Sequence, residues 1–259
     1  MALKNASQSM DYSIRSVVEQ KYRNFEFIFV VGQSMDNTLD KVYSLGSKFS
    51  SKILVDQDNG IYNALNKGLL LAEPDSLVCV LGAGDFFLHN SVFSQINQSL
   101  RSPSDWCISP WVLTKENYEF IEISGDQNFD GMQVLTTQVP LCHQTIFAPA
   151  RMILENNGFN TNYNVAADRD LIFKLWRCEP PKVLETVNVV YPQGGYSSNN
   201  EVKGHSELRR LRQISRLKFL MTSSKKRRNL LTKVSNPSKR VPNNIFSWCP
   251  LSIKEGVTH

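Results

Sequence analysis

The sequence has few cysteines and histidines and no long apolar run. Its five cysteines are odd in number and widely spaced among 259 residues, with no Cys-x-x-Cys pair. This argues against a disulfide framework and a zinc site, and the four histidines also lack metal-site spacing. The longest apolar runs, such as Phe27–Val31, fall far short of the roughly 18–20 residues of a membrane span. Residues 1–9 contain no apolar h-region, so we predict no signal peptide and a cytoplasmic protein with at most peripheral membrane contact, on the inner face.

Charge is unevenly distributed along the chain. There are 29 Lys and Arg against 24 Asp and Glu, a formal net charge of +5. Residues 203–240 hold 13 of the basic residues and one acid, Glu207, a net +12, which leaves −7 for the remainder. With 41% hydrophobic and 20% charged residues, the body can bury a core and global disorder is excluded. We predict one domain over residues 1–200 and a basic amphipathic helical tail over 201–259.

Strands and helices alternate in the first hundred residues. Apolar residues at helical spacing predict helices over 12–22, 38–48, 61–72 and 91–100, and β-branched and aromatic runs predict strands at 25–31, 52–55 and 76–81. This alternation predicts an α/β fold with a mostly parallel sheet flanked by helices, whose ligands bind at the carboxyl ends of the strands. Further on, strands near 106–113, 118–123, 145–147 and 183–191 with one helix near 168–177 predict a mixed sheet edge or a second subregion.

Acidic side chains follow three of the predicted strands. They are Asp36, the pair Asp56 and Asp58, and Asp85. Taken singly, such residues are expected to cap helices or shape turns. Their recurrence at successive strand ends favours a site for a hard divalent cation, which in turn can bind a diphosphate.

Several motifs follow one another in a defined order. Residues 16–28 are similar to S-[IV]-x-x-Q-x-Y-x-N-[FI]-E-x-I, residues 32–38 to D-G-G-S-x-D-G-T, and residues 58–68 to D-x-G-I-Y-D-A-M-N-K-G. Residues 81–85 stand in place of L-N-x-G-D, and residues 142–147, 165–168 and 194–197 match three later landmarks. Over residues 12–200 the chain thus resembles family 2 glycosyltransferases of the Rossmann-like GT-A fold, among them the colanic-acid-type exopolysaccharide transferases. The resemblance implies metal-dependent, inverting transfer of a sugar from a nucleotide sugar to a glycan or lipid-linked acceptor, in polysaccharide biosynthesis.

The resemblance also implies roles for particular residues on the donor side. Asp85 would bind a divalent cation, Mg²⁺ or Mn²⁺, and its alternative role is to cap a helix near residues 86–90. Ser34 and Asp36 would lie near the nucleoside. The nucleotide-sugar side would comprise Asp58, Asn66 and Lys67, although Lys67 is equally well explained as a solvated helix lysine.

On the acceptor side the resemblance implies a general base at Asp168. A carboxylate at the start of a helix is held ionised by the macrodipole and is ready to accept a proton; the alternative is a plain N-cap. His143 is a second candidate for proton handling, or simply a hydrogen-bonded histidine on a strand. Gln144 and Gly195 complete the predicted acceptor side, where Gly195 allows close approach of backbone to ligand or merely forms a turn.

Some residues depart from the family pattern. Val31 replaces an Asp, Gly82 replaces the Asn of L-N-x-G-D, and Asn63 replaces another Asp. A first strand before residue 12 is expected to be missing or degenerate, or the chain to begin late. These departures leave open a second hypothesis, a catalytically inactive relative that binds nucleotide sugars.

The basic tail has three interpretations. From Glu207 onward Leu208 and Leu211 recur at helical spacing among arginines, and a run of four basic residues follows at 225–228. Such a segment can bind an anionic membrane surface, contact nucleic acid, or simply pack its leucines on the body. Nucleic acid is the least favoured, because residues 207–228 contain one aromatic residue, Phe219, and no nucleic-acid-binding motif.

Overall fold

The computed structural model describes residues 1–57, 59–125, 141–195 and 200–221. In chain order its elements are β1 (Ala2–Leu3), α1 (Met10–Val18), β2 (Phe27–Val31), α2 (Thr38–Gly46), β3 (Ser51–Val55), α3 (Ile61–Leu69), β4 (Leu77–Val78), β5 (Phe86–Phe87), α4 (Val92–Ser99), β6 (Cys107–Ile108), β7 (Trp111–Thr114), β8 (Phe120–Ser124), a 3₁₀ helix (His143–Thr145), β9 (Ala148–Pro149), α5 (Ala150–Glu155), α6 (Ala167–Cys178), β10 (Lys182–Val183), β11 (Val189–Pro192) and α7 (Glu201–Met221). The alternation predicted for the first hundred residues is confirmed, with helices that end a few residues earlier.

A parallel sheet of β1, β2 and β3 has β2 at its centre. β2 pairs with β3 along its whole length, from Phe27 opposite Ser51 to Val31 opposite Val55. The nearly continuous apolar sequence of β2 suits this position, because a central strand covered by helices is buried on both faces.

The first strand is short but present. Ala2–Leu3 pair in parallel with Val30 and Val31, so the strand is not missing but is reduced to two residues, the degenerate form of the expectation. The amino group of Met1 lies buried beside it and donates a hydrogen bond to the carbonyl oxygen of Ile28 at 2.7 Å. Burial lowers the pKa of this ammonium group to about 6, because a charge is disfavoured away from water.

A cavity of about 780 Å³ lies beside Met1, between β2 and the extended segment that contains β4. The sequence predicts a strand over residues 76–81, but only Leu77–Val78 pair, antiparallel with β9. The following residues, Cys79 to Leu81, line the cavity. Within the described part of the chain they pair with no neighbouring strand.

A mixed sheet has the order β5, β11, β7, β8. β11 runs parallel to β7 and antiparallel to β5, which confirms a mixed region after residue 100. Two strand predictions are wrong in detail. Thr145 lies in the 3₁₀ helix, with Phe147 forming an isolated bridge to Cys107, and the strand predicted over 183–191 is two separate strands, β10 and β11, with different partners.

The C-terminal helix packs on the body. α7 begins at Glu201, before the predicted start at Glu207, and Leu211 is 1% exposed within the main hydrophobic cluster. The interpretation in which leucines of this helix cover the body is therefore confirmed for Leu211, while the basic run at 225–228 lies outside the described residues. Among the described helices, we find none with both the length and the apolar composition of a membrane span.

Candidate active site

Asp85 lies in the turn that leads into β5, and the residue is 6% exposed. Its Oδ2 accepts hydrogen bonds from the backbone N–H of Gly82 at 3.1 Å and from Nε2 of Gln144 at 2.6 Å. A Cβ at position 82 would collide with this carboxylate, so the glycine that replaces the family's Asn allows the side chain to fold back. Because Phe86–Phe87 form a strand, the alternative of a helix cap at Asp85 is wrong.

Opposing influences act on the pKa of the Asp85 carboxyl group. Burial is the largest influence and raises the pKa of its carboxyl group to about 6, while the bonds from Gln144 and Gly82 and the charge of His143 act to lower it. Since desolvation wins, the carboxylate is held in a charged form only near neutral pH and above. Such a group gains most from a cation placed beside it.

Helix α1 holds the backbone around Asp85 in place through buried hydroxyl groups. Ser13 Oγ donates to the carbonyl oxygen of Gly82 at 3.0 Å and accepts from the N–H of Gly84 at 2.9 Å. Ser16 Oγ accepts from the N–H of Phe87 at 3.1 Å. These contacts give Ser16, the first residue of the S-[IV]-x-x-Q motif, a structural role that the sequence does not reveal.

His143 and Asp168 lie in contact with each other. His143 Nδ1 lies 3.5 Å from Asp168 Oδ2, and the two side chains are 21% and 16% exposed. The 3₁₀ helix carries His143 next to Gln144, which binds Asp85. The structure therefore joins three predicted site residues and one predicted metal ligand into a single connected cluster, defined here as the Asp85–Asp168 cluster: Asp85, Gln144, His143 and Asp168.

Asp168 is positioned by the start of α6. The N-cap residue of this helix is Ala166, so Asp168 lies in the first turn and the interpretation of a plain N-cap is wrong. Its Oδ1 accepts from the N–H of Arg169 at 2.7 Å, which leaves Oδ2 directed toward His143. A partly exposed carboxylate beside an imidazole is suited to proton transfer.

The predicted nucleoside side lies at the end of β2. Asp36 accepts hydrogen bonds from the N–H of Thr38 at 3.1 Å and from the N–H of Ser7 at 3.0 Å. Ser34 Oγ accepts from the N–H of Asn5 at 3.0 Å. Asp36 thus joins the loop after β1 to the start of α2, and Ser34 joins that loop to the segment between β2 and α2. The hydrogen bonds from Thr38 and Ser7 hold the pKa of Asp36 well below its ordinary value despite some desolvation.

Two further predicted donor residues make structural contacts. Asn66 Nδ2 donates to the carbonyl oxygen of Phe159 at 2.8 Å, and its Oδ1 accepts from the N–H of Phe159 at 2.9 Å. Lys67 Nζ lies 2.7 Å from Asp56 Oδ2 and donates to the carbonyl oxygen of Gln57 at 2.9 Å, so it is engaged at the end of β3 rather than only solvated. Asp58, predicted beside them, lies outside the described residues.

The predicted acceptor side is divided. Gln144 is 4% exposed and binds Asp85, so it supports the carboxylate from within the protein rather than facing an acceptor. Gly195 is exposed after β11, and no hydrogen bond within the described residues links it to His143 or Asp168.

For the cation predicted at Asp85, the described residues offer a single carboxylate, that of Asp85 itself. Among the described residues no three His, Cys, Asp or Glu side chains form a group able to hold a metal ion. Both hydrogen bonds of the Asp85 carboxylate converge on Oδ2, and its other oxygen, Oδ1, remains for a ligand. One carboxylate fits Mg²⁺ or Mn²⁺ in the mode where the ion keeps several waters and binds substrate phosphates.

Solved structures define the class of fold. A crystal structure of TarS residues 1–349 from S. aureus matches 82% of this chain with a TM-score of 0.63 and 15% identity. The mannosyltransferase PcManGT from Pyrobaculum calidifontis, solved with GDP-Man and Mn²⁺, matches 81% with a TM-score of 0.57 and 17% identity. In both cases the chain covers 63% of the solved protein. The fold is therefore of the GT-A type, an α/β fold with a parallel sheet flanked by helices.

The sequence identifies the family. Residues 1–158 match the model described as glycosyl transferase family 2, and the chain belongs to that family. A PGL/p-HBAD biosynthesis glycosyltransferase, found in Mycobacterium bovis and Mycobacterium tuberculosis, is 26% identical over 221 residues, which are 82% of each chain. An uncharacterized glycosyltransferase of Mycobacterium tuberculosis is 22% identical over 215 residues, 82% of this chain and 81% of the relative.

Proposed function

We propose that the protein is an inverting glycosyltransferase that uses a nucleotide sugar as donor. The observation that carries the proposal is the Asp85–Asp168 cluster, in which a buried carboxylate and a partly exposed carboxylate are linked through Gln144 and His143. Solved proteins of the same fold bind such donors: TarS has been crystallised with UDP-GlcNAc and PcManGT with GDP-Man. The proposal extends this class of donor to the present chain.

In the proposed reaction Asp168 is the general base. The acceptor hydroxyl attacks the anomeric carbon of the sugar while the bond to the nucleoside diphosphate breaks, and the hydroxyl proton passes to Asp168 Oδ2. His143, 3.5 Å from this oxygen, orients the carboxylate and shares the proton's charge. Attack opposite the leaving group inverts the anomeric configuration, and a positioned base of this kind contributes about 10²–10⁴-fold to the rate.

Asp85 is proposed to hold the divalent cation through Oδ1. When bound, such an ion acts as a Lewis acid that neutralises the charge of the diphosphate. Gln144 holds the carboxylate in position through Oδ2. The loop fixed by Ser34 and Asp36 lies at the carboxyl end of β2, where ligands bind in open α/β sheets, and we assign it to the nucleoside, with Asp58, Asn66 and Lys67 on the sugar-nucleotide side.

The proposed acceptor is a glycan or a lipid-linked sugar, as in the biosynthesis of exopolysaccharide or other glycoconjugates. The mycobacterial relatives are named as glycosyltransferases of PGL/p-HBAD biosynthesis. A lipid-linked acceptor fits the exposed basic residues of α7, among them Arg209 and Arg210, because such residues are attracted to anionic membrane surfaces. We therefore propose a cytoplasmic protein with peripheral contact to the inner membrane face.

The test of the proposal is the substitution Asp168→Asn. The variant should bind UDP- or GDP-sugars with Mn²⁺ within about threefold of the unchanged protein, because the amide keeps the shape of the site. Donor cleavage, measured as release of UDP or GDP, should fall about 10²–10⁴-fold through loss of the base. Asp40→Asn is the matched control, since Asp40 is an exposed first-turn aspartate of α2.

Two results would contradict the proposal. Turnover of Asp168→Asn equal to that of the unchanged protein would remove Asp168 from the mechanism. Absence of binding to every UDP- and GDP-sugar tested, with and without Mn²⁺, would favour the second hypothesis of a catalytically inactive relative or a protein with a different ligand.

A further inference from the structure

Glu207 of α7 binds the chain just ahead of α6. Its carboxylate accepts hydrogen bonds from three successive backbone N–H groups: from Asn164 at 2.9 Å, from Val165 at 2.8 Å and from Ala166 at 3.1 Å. The side-chain amide of Asn164 adds a fourth, at 3.3 Å. One side chain that lies 41 to 43 positions further along the sequence thus fixes three consecutive residues.

These three residues determine where α6 begins. Ala166 is the N-cap residue of α6, and its carbonyl oxygen accepts from the N–H of Asp170 at 3.1 Å. The first N–H groups of a helix have no partner within it, and a negative charge close to the N-terminus is favoured by the helix macrodipole. Glu207 supplies that charge, and Asp168 lies two residues beyond Ala166, on the first turn.

The part of α7 that carries Glu207 is packed against the body of the protein. Glu207 is 9% exposed and Leu211, one turn further along α7, is 1% exposed. A Cβ at Gly204 would come within 3.1 Å of Val165, so the helix backbone itself lies close to the bound segment. Tyr62 of α3 binds the carbonyl oxygen of Val165 from the other side at 2.7 Å.

The charge of Glu207 is well compensated. Burial acts to raise the pKa of its carboxyl group, but the hydrogen bonds from Asn164, Val165 and Ala166 outweigh it and the pKa lies below its ordinary value. The group is therefore ionised throughout the neutral range and accepts from all of these donors at once.

We propose that Glu207 is a positioning residue for the reaction, which acts by fixing the start of α6 and so the orientation of Asp168 toward His143. The proposal rests on the proposed function, in which Asp168 is the general base. It makes α7 part of the catalytic architecture, although this helix begins beyond residues 1–158, which match the family model.

Glu207→Gln is the informative substitution, because the side chain keeps its size but loses one of its two hydrogen-bond acceptor oxygens. One oxygen of the carboxylate becomes an NH₂ group, which would face backbone N–H donors. A displacement of about 1 Å at a catalytic group can cost about 10²-fold in rate. We expect the turnover number for donor cleavage to fall about ten- to a hundredfold, with the Kd for UDP- or GDP-sugars unchanged within about threefold.

A double substitution separates positioning from a general loss of structure. If Glu207 acts through Asp168, adding Glu207→Gln to Asp168→Asn should lower turnover no further, because the group that is positioned has already been removed. Effects that multiply, or a turnover number unaffected by Glu207→Gln alone, would overturn the proposal. Glu207→Asp keeps the charge on a shorter side chain and should recover part of the activity.

A measurement independent of activity keeps the test valid if Asp168 proves not to be the base. Amide hydrogen exchange at Val165 and Ala166 should become faster in Glu207→Gln and stay unchanged in Glu122→Gln, the same substitution at an exposed residue of β8. Faster exchange together with wild-type turnover of Asp168→Asn would show that the proposed base is wrong while the contact of Glu207 is real. Unchanged exchange would refute the positioning contact itself.

Discussion

At the scale of single residues, the buried charge of Asp85 lowers the stability of the folded protein. Its carboxylate is almost fully buried and receives hydrogen bonds from two groups, which offset only part of the lost hydration. Burial raises the pKa from its usual value near 3.8 to about 6, so the folded state holds a proton more tightly than the unfolded state. The stability of the metal-free protein therefore falls as pH rises from about 4 to 6 and stays lowered above pH 6.

Replacement of Asp85 by Asn should accordingly stabilise the metal-free protein. At pH 8 we expect the free energy of unfolding in EDTA to increase by about 1–3 kcal/mol, because the buried charge is removed. At pH 4.5 the gain should be smaller, since Asp85 is then protonated in the folded state. Thermal and urea unfolding at both pH values measure the effect, and a loss of stability at pH 8 would contradict it.

The sequence predicts the acids of the cluster but not what joins them. Asp85 and Asp168 are recognisable from their motifs and from the strand or helix beside them. The bond from Gln144 to Asp85 spans 59 positions, a separation that no local spacing reveals, and the family resemblance predicts only an acceptor-side role for Gln144. The sequence does not predict the contact of Glu207 either, and its one signal is a single acid within the basic segment 203–240, next to apolar Leu208.

At the scale of elements, α1 supports the cluster through a polar face that is buried. Gln20, just beyond the helix, is 0% exposed. Its amide donates to the carbonyl oxygen of His89 at 2.7 Å and accepts from the N–H of Phe93 at 3.1 Å. Periodicity of apolar residues predicts a helix here but extends it to residue 22, past Gln20. It carries no information on the backbone groups of β5 and α4 that bind Ser16 and Gln20.

Gln20→Leu should therefore destabilise the protein although it adds apolar surface to a buried site. The carbonyl oxygen of His89 and the N–H of Phe93 would be left without a partner, at about 1–3 kcal/mol each. We expect the free energy of unfolding to fall by about 2–4 kcal/mol in urea titrations. Gln98→Leu, at an exposed position of α4, is the matched control and should change it by about 0.5 kcal/mol or less; equal effects of the two would rule out the buried contact.

At the scale of the whole molecule, the basic run and the proposed catalytic residues lie in different parts of the sequence. The Asp85–Asp168 cluster lies in the body, while the run of four basic residues at 225–228 follows α7. The proposed membrane contact should therefore be separable from donor cleavage. The charge distribution along the sequence predicts an acidic body and a basic tail. An amphipathic pattern alone does not distinguish packing of Leu211 on the body from binding of the helix to lipid.

Conversion of Lys225, Lys226, Arg227 and Arg228 to Gln tests the separation. Each basic residue near an anionic surface contributes about 1 kcal/mol, so binding to vesicles of anionic lipid in flotation should weaken at least about tenfold. Cleavage of a soluble UDP- or GDP-sugar should stay within about twofold. The pair Lys21→Gln and Lys48→Gln, at exposed sites of the body, is the control, and loss of binding to RNA or DNA in place of vesicles would instead favour the nucleic-acid interpretation.

The buried amino group of Met1 also determines how this end of the protein can be used in the laboratory. Its nitrogen donates to Ile28 beside a cavity of about 780 Å³. A peptide bond at this nitrogen would keep the N–H donor and lose the charge that burial disfavours. An affinity tag is therefore best joined to Met1 through an uncharged linker, so that the amide still pairs with β2.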